Sequence, residues 1–161
     1  MQSTAQRPLP ALDGGARSEL YPGYRTIATT RVRYAETDQM GVVYHSNYLI
    51  WCEIGRTDFL RQLGTSYAVL ESQGLKLAVA DAHLRYHAPA RYDDIIQIET
   101  WIERAQSRAL TFGYEIFRTE PGPRLRLVSA STTLVALDAT GSPRKLPPNL
   151  LELFRHASLQ T

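Results

Sequence analysis

Asp38 is a carboxylate with the neighbours that carbonyl chemistry needs. It lies in the stretch Arg33-Tyr34-Ala35-Glu36-Thr37-Asp38-Gln39-Met40-Gly41-Val42-Val43-Tyr44-His45-Ser46-Asn47-Tyr48. Gly41 permits a tight reversal of the chain, and a polar helix start follows seven residues after the acid. Helix N-termini expose unpaired N–H groups at the positive end of the helix dipole. An acid facing such a terminus across a gap can attack a carbonyl or activate water while the N–H groups hold the developing oxyanion. The same spacing also describes a turn in which Asp38 only bonds its own backbone, and spacing alone favours that simpler reading.

Other chemistry-bearing residues are less well placed. Glu53 and Arg56 are three apart on a helical pattern, which suits a surface ion pair worth about 0.2–0.5 kcal/mol. His83 and His87 are four apart on a strand-like run, roughly 13 Å at ~3.3 Å per residue, and cannot share a metal ion from one strand. His156 falls on a polar helix face near the chain end. With one cysteine, Cys52, and no HExxH or CxxC pattern, the expectation is no metal site and no disulfide. Neither GxxxxGK[ST] nor GxGxxG occurs, so a nucleotide-binding α/β domain has no support.

The elements that must position these residues follow from periodicity. Residues 1–22, punctuated by Pro8, Pro10, Gly14, Gly15 and Pro22, read as a flexible N-terminal arm, with a single domain over 23–161. A strand is expected over 25–34, then a structured loop over 35–46. A helix capped by Ser46 or Asn47 runs to Leu63 and stops at Gly64. A short helix, Ser66–Gln73, ends at Gly74. The rest reads as sheet: Leu75–Pro89, with Leu77, Val79, Leu84 and Tyr86 as candidates for burial; Ile95–Arg104, with Ile96, Ile98, Thr100 and Ile102 on one face; and a hairpin of 108–118 and 124–137 about Glu120-Pro121-Gly122-Pro123. A last helix covers about Asn149–His156. One long helix beside an antiparallel sheet is an α+β arrangement. On the helix wheel Leu49, Cys52, Gly55, Phe59, Leu60 and Leu63 share one arc, and Ile50, Trp51 and Ile54 lie on the other side. A helix apolar on both sides needs cover on both, which points to an oligomer.

Composition fits this picture. The 161 residues are 43% hydrophobic and 21% charged with a net charge of +2, an ordinary globular balance that gives no reason to expect nucleic acid as a partner. No apolar run approaches ~18 residues, and no basic start precedes an apolar segment at the N-terminus. The expectation is a cytoplasmic protein without stable membrane insertion.

The residues Tyr34-x-Glu36-Thr37-Asp38-x-x-Gly41-x-Val43-Tyr44-His45-x-Asn47-Tyr48, followed by Glu53, Arg56 and Leu60-Arg61, closely resemble the 4-hydroxybenzoyl-CoA thioesterase family, above all its bacterial YbgC-type acyl-CoA thioesterases. The resemblance covers about residues 24–156 and includes Tyr92-Asp93-Asp94 and Pro143-Arg144-Lys145-Leu146-Pro147. It implies the hot-dog fold, a curled five-stranded antiparallel sheet around a long central helix. It also implies hydrolysis of an acyl-CoA thioester, with an aromatic or short- to medium-chain acyl group, to free acid and CoA without a cofactor. Asp38 falls on the family's catalytic aspartate, nucleophile or general base. His45 falls where a backbone N–H polarises the thioester carbonyl, so its ring need not act.

Asn47 and Tyr48 match the segment shaping that turn, and Gly41, Asn47, Glu53 and Arg56 are structural residues near the site. Another hot-dog group takes its acid from the central helix, but the intact Asp38 motif makes Glu53 a structural residue here. Tyr48, Ser107, Arg108, Arg144 and Lys145 match substrate-binding positions, the cations serving the phosphates of CoA. Leu77, Val79, Trp51 and Tyr48 are candidates to line the acyl pocket. The family implies a homodimer as the minimum unit and a homotetramer as the expected state. Two alternatives are a hot-dog hydratase or dehydratase, which needs a His and an acid placed for proton transfer, and a non-catalytic acyl-CoA-binding regulatory module. Such a regulator would carry a DNA-binding helix pair, and residues 1–22 have no helical period.

Overall fold

The computed structural model describes residues 23–158; the expected arm, 1–22, lies outside them. β1 (Arg25–Arg31) is shorter than its β-rich sequence run. Val32 exchanges backbone hydrogen bonds with Asp93 and Asp94, and the chain then turns away through a 3-10 turn at Tyr34–Glu36. α1 (Asn47–Gln62) and α2 (Tyr67–Ser72) follow, each stopped at a glycine as expected. Then come β2 (Lys76–Tyr86), β3 (Ile95–Ala105), β4 (Ala109–Glu120), β5 (Leu125–Leu137) and α3 (Pro148–Ala157). All strand pairs are antiparallel, in the order β1-β3-β4-β5-β2, so β1 and β2 are the two edges.

α1 lies across β1 and β3. Ile96, Ile98, Thr100 and Ile102 point beneath it and are fully buried, as the alternation of β3 predicts. The contact is close because Gly55 has no side chain: a Cβ there would run into Thr100 and come within 2.8 Å of Ile98. Trp101, an exception to the alternation, sits on the opposite face with the Arg25 guanidinium 4.1 Å over its ring, a cation–π cover for an outward indole.

Two expectations are corrected. Trp51 belongs inside with Cys52, Phe59, Leu60 and Leu63, while Leu49 is outside with Ile50 and Ile54. The reason is a polar anchor: the Trp51 indole N–H donates to the buried Glu36 carboxylate at 3.1 Å, which draws the ring inward. Val79 and Tyr86, expected to be buried, are 50% and 49% exposed. They lie on a strand that, among the described residues, is an edge of the sheet, and a register shift between Val79 and Asp81 breaks its alternation.

Candidate active site

The loop leading into α1 docks on the segment that follows β2. Val43 N–H donates to Ala90 O at 2.8 Å, the Arg91 guanidinium reaches Gly41 O at 3.5 Å, and Ala90 N–H donates to the Tyr48 hydroxyl at 3.1 Å. Arg91 and Asp94 close a turn on each other, so the Tyr92-Asp93-Asp94 motif is the platform beneath the loop. Within the loop, Asp38 Oδ1 accepts Met40 N–H at 2.9 Å and Gly41, at φ 74, turns the chain back so that Asp38 N–H meets Val42 O. The turn reading of Asp38 is therefore correct as far as it goes, and it fixes the carboxylate through one oxygen.

Glu36 anchors the loop from below, although its spacing gave it no role. It is 4% exposed; its carboxylate accepts Arg33 N–H at 2.7 Å and the Trp51 indole N–H. Its carbonyl accepts Tyr44 N–H and the Asn47 side-chain N–H, both at 2.9 Å. Asn47 thus turns its amide back to the loop instead of capping α1. Ser46, at the N-cap position, has helical dihedrals and no side-chain cap bond. The expected Ser46 or Asn47 cap is absent, and His45 and Ser46 N–H take no backbone partner among the described residues. An uncapped helix start with free donors is what an oxyanion requires.

Asp38 and His45 line one cavity of about 360 Å³, whose walls are Met40, Val42, Val43, Tyr44, Tyr48, Tyr86, His87, Ala88 and Pro89. Tyr48 is a wall, not a free hydroxyl: it is buried, stacked edge-on between Trp51 and Tyr86, and burial raises its phenol against the opposing bond from Ala90. Leu77, Val79 and Trp51 do not reach this cavity in the single chain. Glu53 and Arg56 lie elsewhere. Glu53 opens on a separate groove between α1 and β1, and Arg56 is buried beside Tyr67 and Tyr114, touching Glu53 only at 4.0 Å. His87 Nε2 bonds Ser129 Oγ at 2.9 Å.

The expected CoA cations meet one another but not Asp38. Leu146 N–H donates to Ser107 O, Arg108 O accepts Ala136 N–H, and the Arg144 guanidinium holds Gly74 O at 3.2 Å, so the 107–108 and 144–145 segments form one corner. Tyr86, beside Asp38, pairs with Val128 of β5. The corner is tied to Ala136, eight residues along the same strand, about 26 Å away at ~3.3 Å per residue.

Known proteins similar in sequence or architecture agree in kind. The chain is 33% identical to the acyl-CoA thioester hydrolase YbgC of Escherichia coli, over 78% of this chain and 92% of that protein. A DHNA-CoA thioesterase from Staphylococcus aureus superposes with a TM-score of 0.75 at 34% identity, covering 81% of this chain and 88% of that one. A 4-hydroxybenzoyl CoA thioesterase, only 19% identical, shares the hot-dog fold with a TM-score of 0.73 over 80% of this chain and 97% of its own. The sequence pattern of the thioesterase-like superfamily matches residues 32–154, and the chain belongs to that superfamily.

Proposed function

We propose that Asp38 and the uncapped start of α1 hydrolyse an acyl-CoA thioester to the free acid and CoA. The observation that carries this reading is the pairing, in one cavity, of a backbone-fixed carboxylate with a helix start whose N–H groups have no cap. The thioester oxygen sits on the N–H groups. Either Asp38 takes a proton from the water that adds to the carbonyl carbon, the C–S bond breaks and that proton passes to the departing thiolate; or Asp38 itself adds, the C–S bond breaks, and water then splits the acyl–Asp38 anhydride, releasing the acid, restoring the carboxylate and giving a proton to the thiolate. In either route the helix start stabilises the charge that develops on oxygen. The cavity's tyrosine walls favour an aromatic acyl group, with short to medium chains next, a preference supported by the DHNA-CoA activity of the Staphylococcus aureus relative.

The distance between Asp38 and the cationic corner supports a shared site. Two β2 strands pairing antiparallel about a two-fold axis would set the Lys76 end of one beside the Tyr86 end of the other. Arg144, which holds Gly74 just before β2, would then come from the partner subunit to the CoA phosphates at this chain's Asp38. A dimer is the minimum unit on this reading.

The test is free-thiol release from a panel of benzoyl-type, short-chain and long-chain acyl-CoAs. Asp38→Asn is expected to lower kcat at least roughly a hundredfold with the fold intact, and Glu53→Gln to leave kcat near wild type. An active Asp38→Asn beside a dead Glu53→Gln would overturn the assignment.

A further inference from the structure

In a helix begun one residue earlier His45 would be the N-cap, and its carbonyl would accept Leu49 N–H. Leu49 N–H, four residues on, instead bonds Ser46 O at 3.2 Å, and His45 O receives the Tyr86 hydroxyl proton at 2.8 Å. Ser46 already has helical dihedrals (φ −73, ψ −19). Only the direction of the 45–46 peptide therefore separates the observed helix start from one that begins a residue earlier. Peptide units are rigid planes with C=O and N–H opposed, so a carbonyl held toward Tyr86 fixes the Ser46 N–H on the other side.

From this geometry we infer that Tyr86 is a positioning residue for the thioester site, its hydroxyl holding the 45–46 peptide turned so that the Ser46 N–H joins that of His45 in serving the oxyanion. The inference rests on the reading of that helix start as the oxyanion site. Tyr86 is suited to the task. Its ring packs edge-on against Tyr48 at 5.5 Å, and Tyr48 is itself fixed by Ala90 N–H. Desolvation, and more weakly the nearby Cys52, raise its phenol above the ordinary range, so the donor proton stays in place across the working pH. Without the hydroxyl, His45 O is free to accept Leu49 N–H, and the helix gains a turn residue at the cost of the donor geometry.

Tyr86→Phe keeps the ring and its packing and removes only the donor. The expected result is a kcat about tenfold lower with KM within about twofold, since the donor that Tyr86 positions matters most once charge develops on the thioester oxygen. Placing 4-aminophenylalanine at 86 restores a donor and is expected to recover most of kcat. A wild-type kcat in Tyr86→Phe overturns the inference, as does a low kcat that the amino ring fails to recover, which would mean packing alone is at stake. Asp38→Asn in the same assay keeps the two readings apart: an inactive Asp38→Asn beside a normal Tyr86→Phe removes only the role of Tyr86, whereas an active Asp38→Asn removes the site itself.

Discussion

On the proposed mechanism His45 acts through its main chain, and its side chain is the less constrained part. Its ring lies against Tyr44 at 4.3 Å, while its N–H is the proposed donor. His45→Ala is expected to keep a substantial fraction of kcat; His45→Pro deletes the N–H and is expected to lose roughly 10²–10³. Equal and severe losses in His45→Ala and His45→Gln, in folded protein, would show instead that the imidazole takes part. Cys52 gives a second prediction at this scale. The thiol is fully buried and pushed up, chiefly by desolvation, from 9.0 to about 12; burial likewise raises the Tyr48 and Tyr114 phenols. An acid raised in the fold stabilises it below the unfolded value, and that stability is lost as the pH climbs through the folded value. Tm is expected to fall steadily from about pH 9 toward 12, with no thiol titratable in native protein at neutral pH and one after unfolding. A flat Tm to pH 11, or a reactive native thiol, would contradict this. Of the site's residues, Asp38, Gly41 and the helix start were legible because they are neighbours in sequence. Glu36 and Tyr86 were not: their partners Trp51 and His45 lie 15 and 41 residues away, and such contacts leave no periodic trace.

At the scale of elements, the alternation of β3 and the helical period of α1 were readable because one face of each meets the same core. The period did not say which flank of α1 takes Trp51, since that is decided by one buried carboxylate. The consequence is testable at Glu36. Glu36→Ala strands the fully buried Trp51 indole N–H away from its acceptor, worth about 1–3 kcal/mol, while the exposed Arg33 N–H can turn to water. A loss of about 1–3 kcal/mol in unfolding free energy is expected, read by calorimetry or denaturant titration, together with a lower kcat because the loop loses its floor. The bonds from Tyr44 N–H and the Asn47 side-chain amide to Glu36 O survive the change, so the fold itself should persist. A variant as stable as wild type would mean that the carboxylate's bonds contribute nothing net. The exposure of β2 was equally hidden in the sequence: Val79 and Tyr86 have the types of a buried strand, and only the strand order makes theirs an edge.

The whole molecule presents two apolar surfaces on opposite sides. One is the β2 edge with Val79 and Tyr86; the other is the β1 flank, where Ile27, Ile50 and Ile54 are 55%, 47% and 38% exposed and Ile27 and Ile54 line a groove of about 460 Å³ with Glu53, Asp58 and Arg61. The two edges are four inter-strand spacings apart, about 19 Å at ~4.8 Å each, so a single edge-to-edge partner at β2 leaves the isoleucines bare. Exposed apolar patches of this kind are uncommon on monomers, and a free strand edge invites pairing. Two different contacts are expected: β2 with β2 to make the dimer and bring Arg144 of the partner subunit to the active site, and the isoleucine flank to join dimers into a tetramer. Light scattering at micromolar concentration should then give four times the 18.1 kDa chain mass. Ile54→Asp should halve that mass and leave thiol release intact, because it interrupts only the second contact. An Ile54→Asp protein that stays tetrameric removes the role of that flank, and a fully active monomer removes the shared site, since one chain holds its cationic corner too far from Asp38 to serve the same CoA.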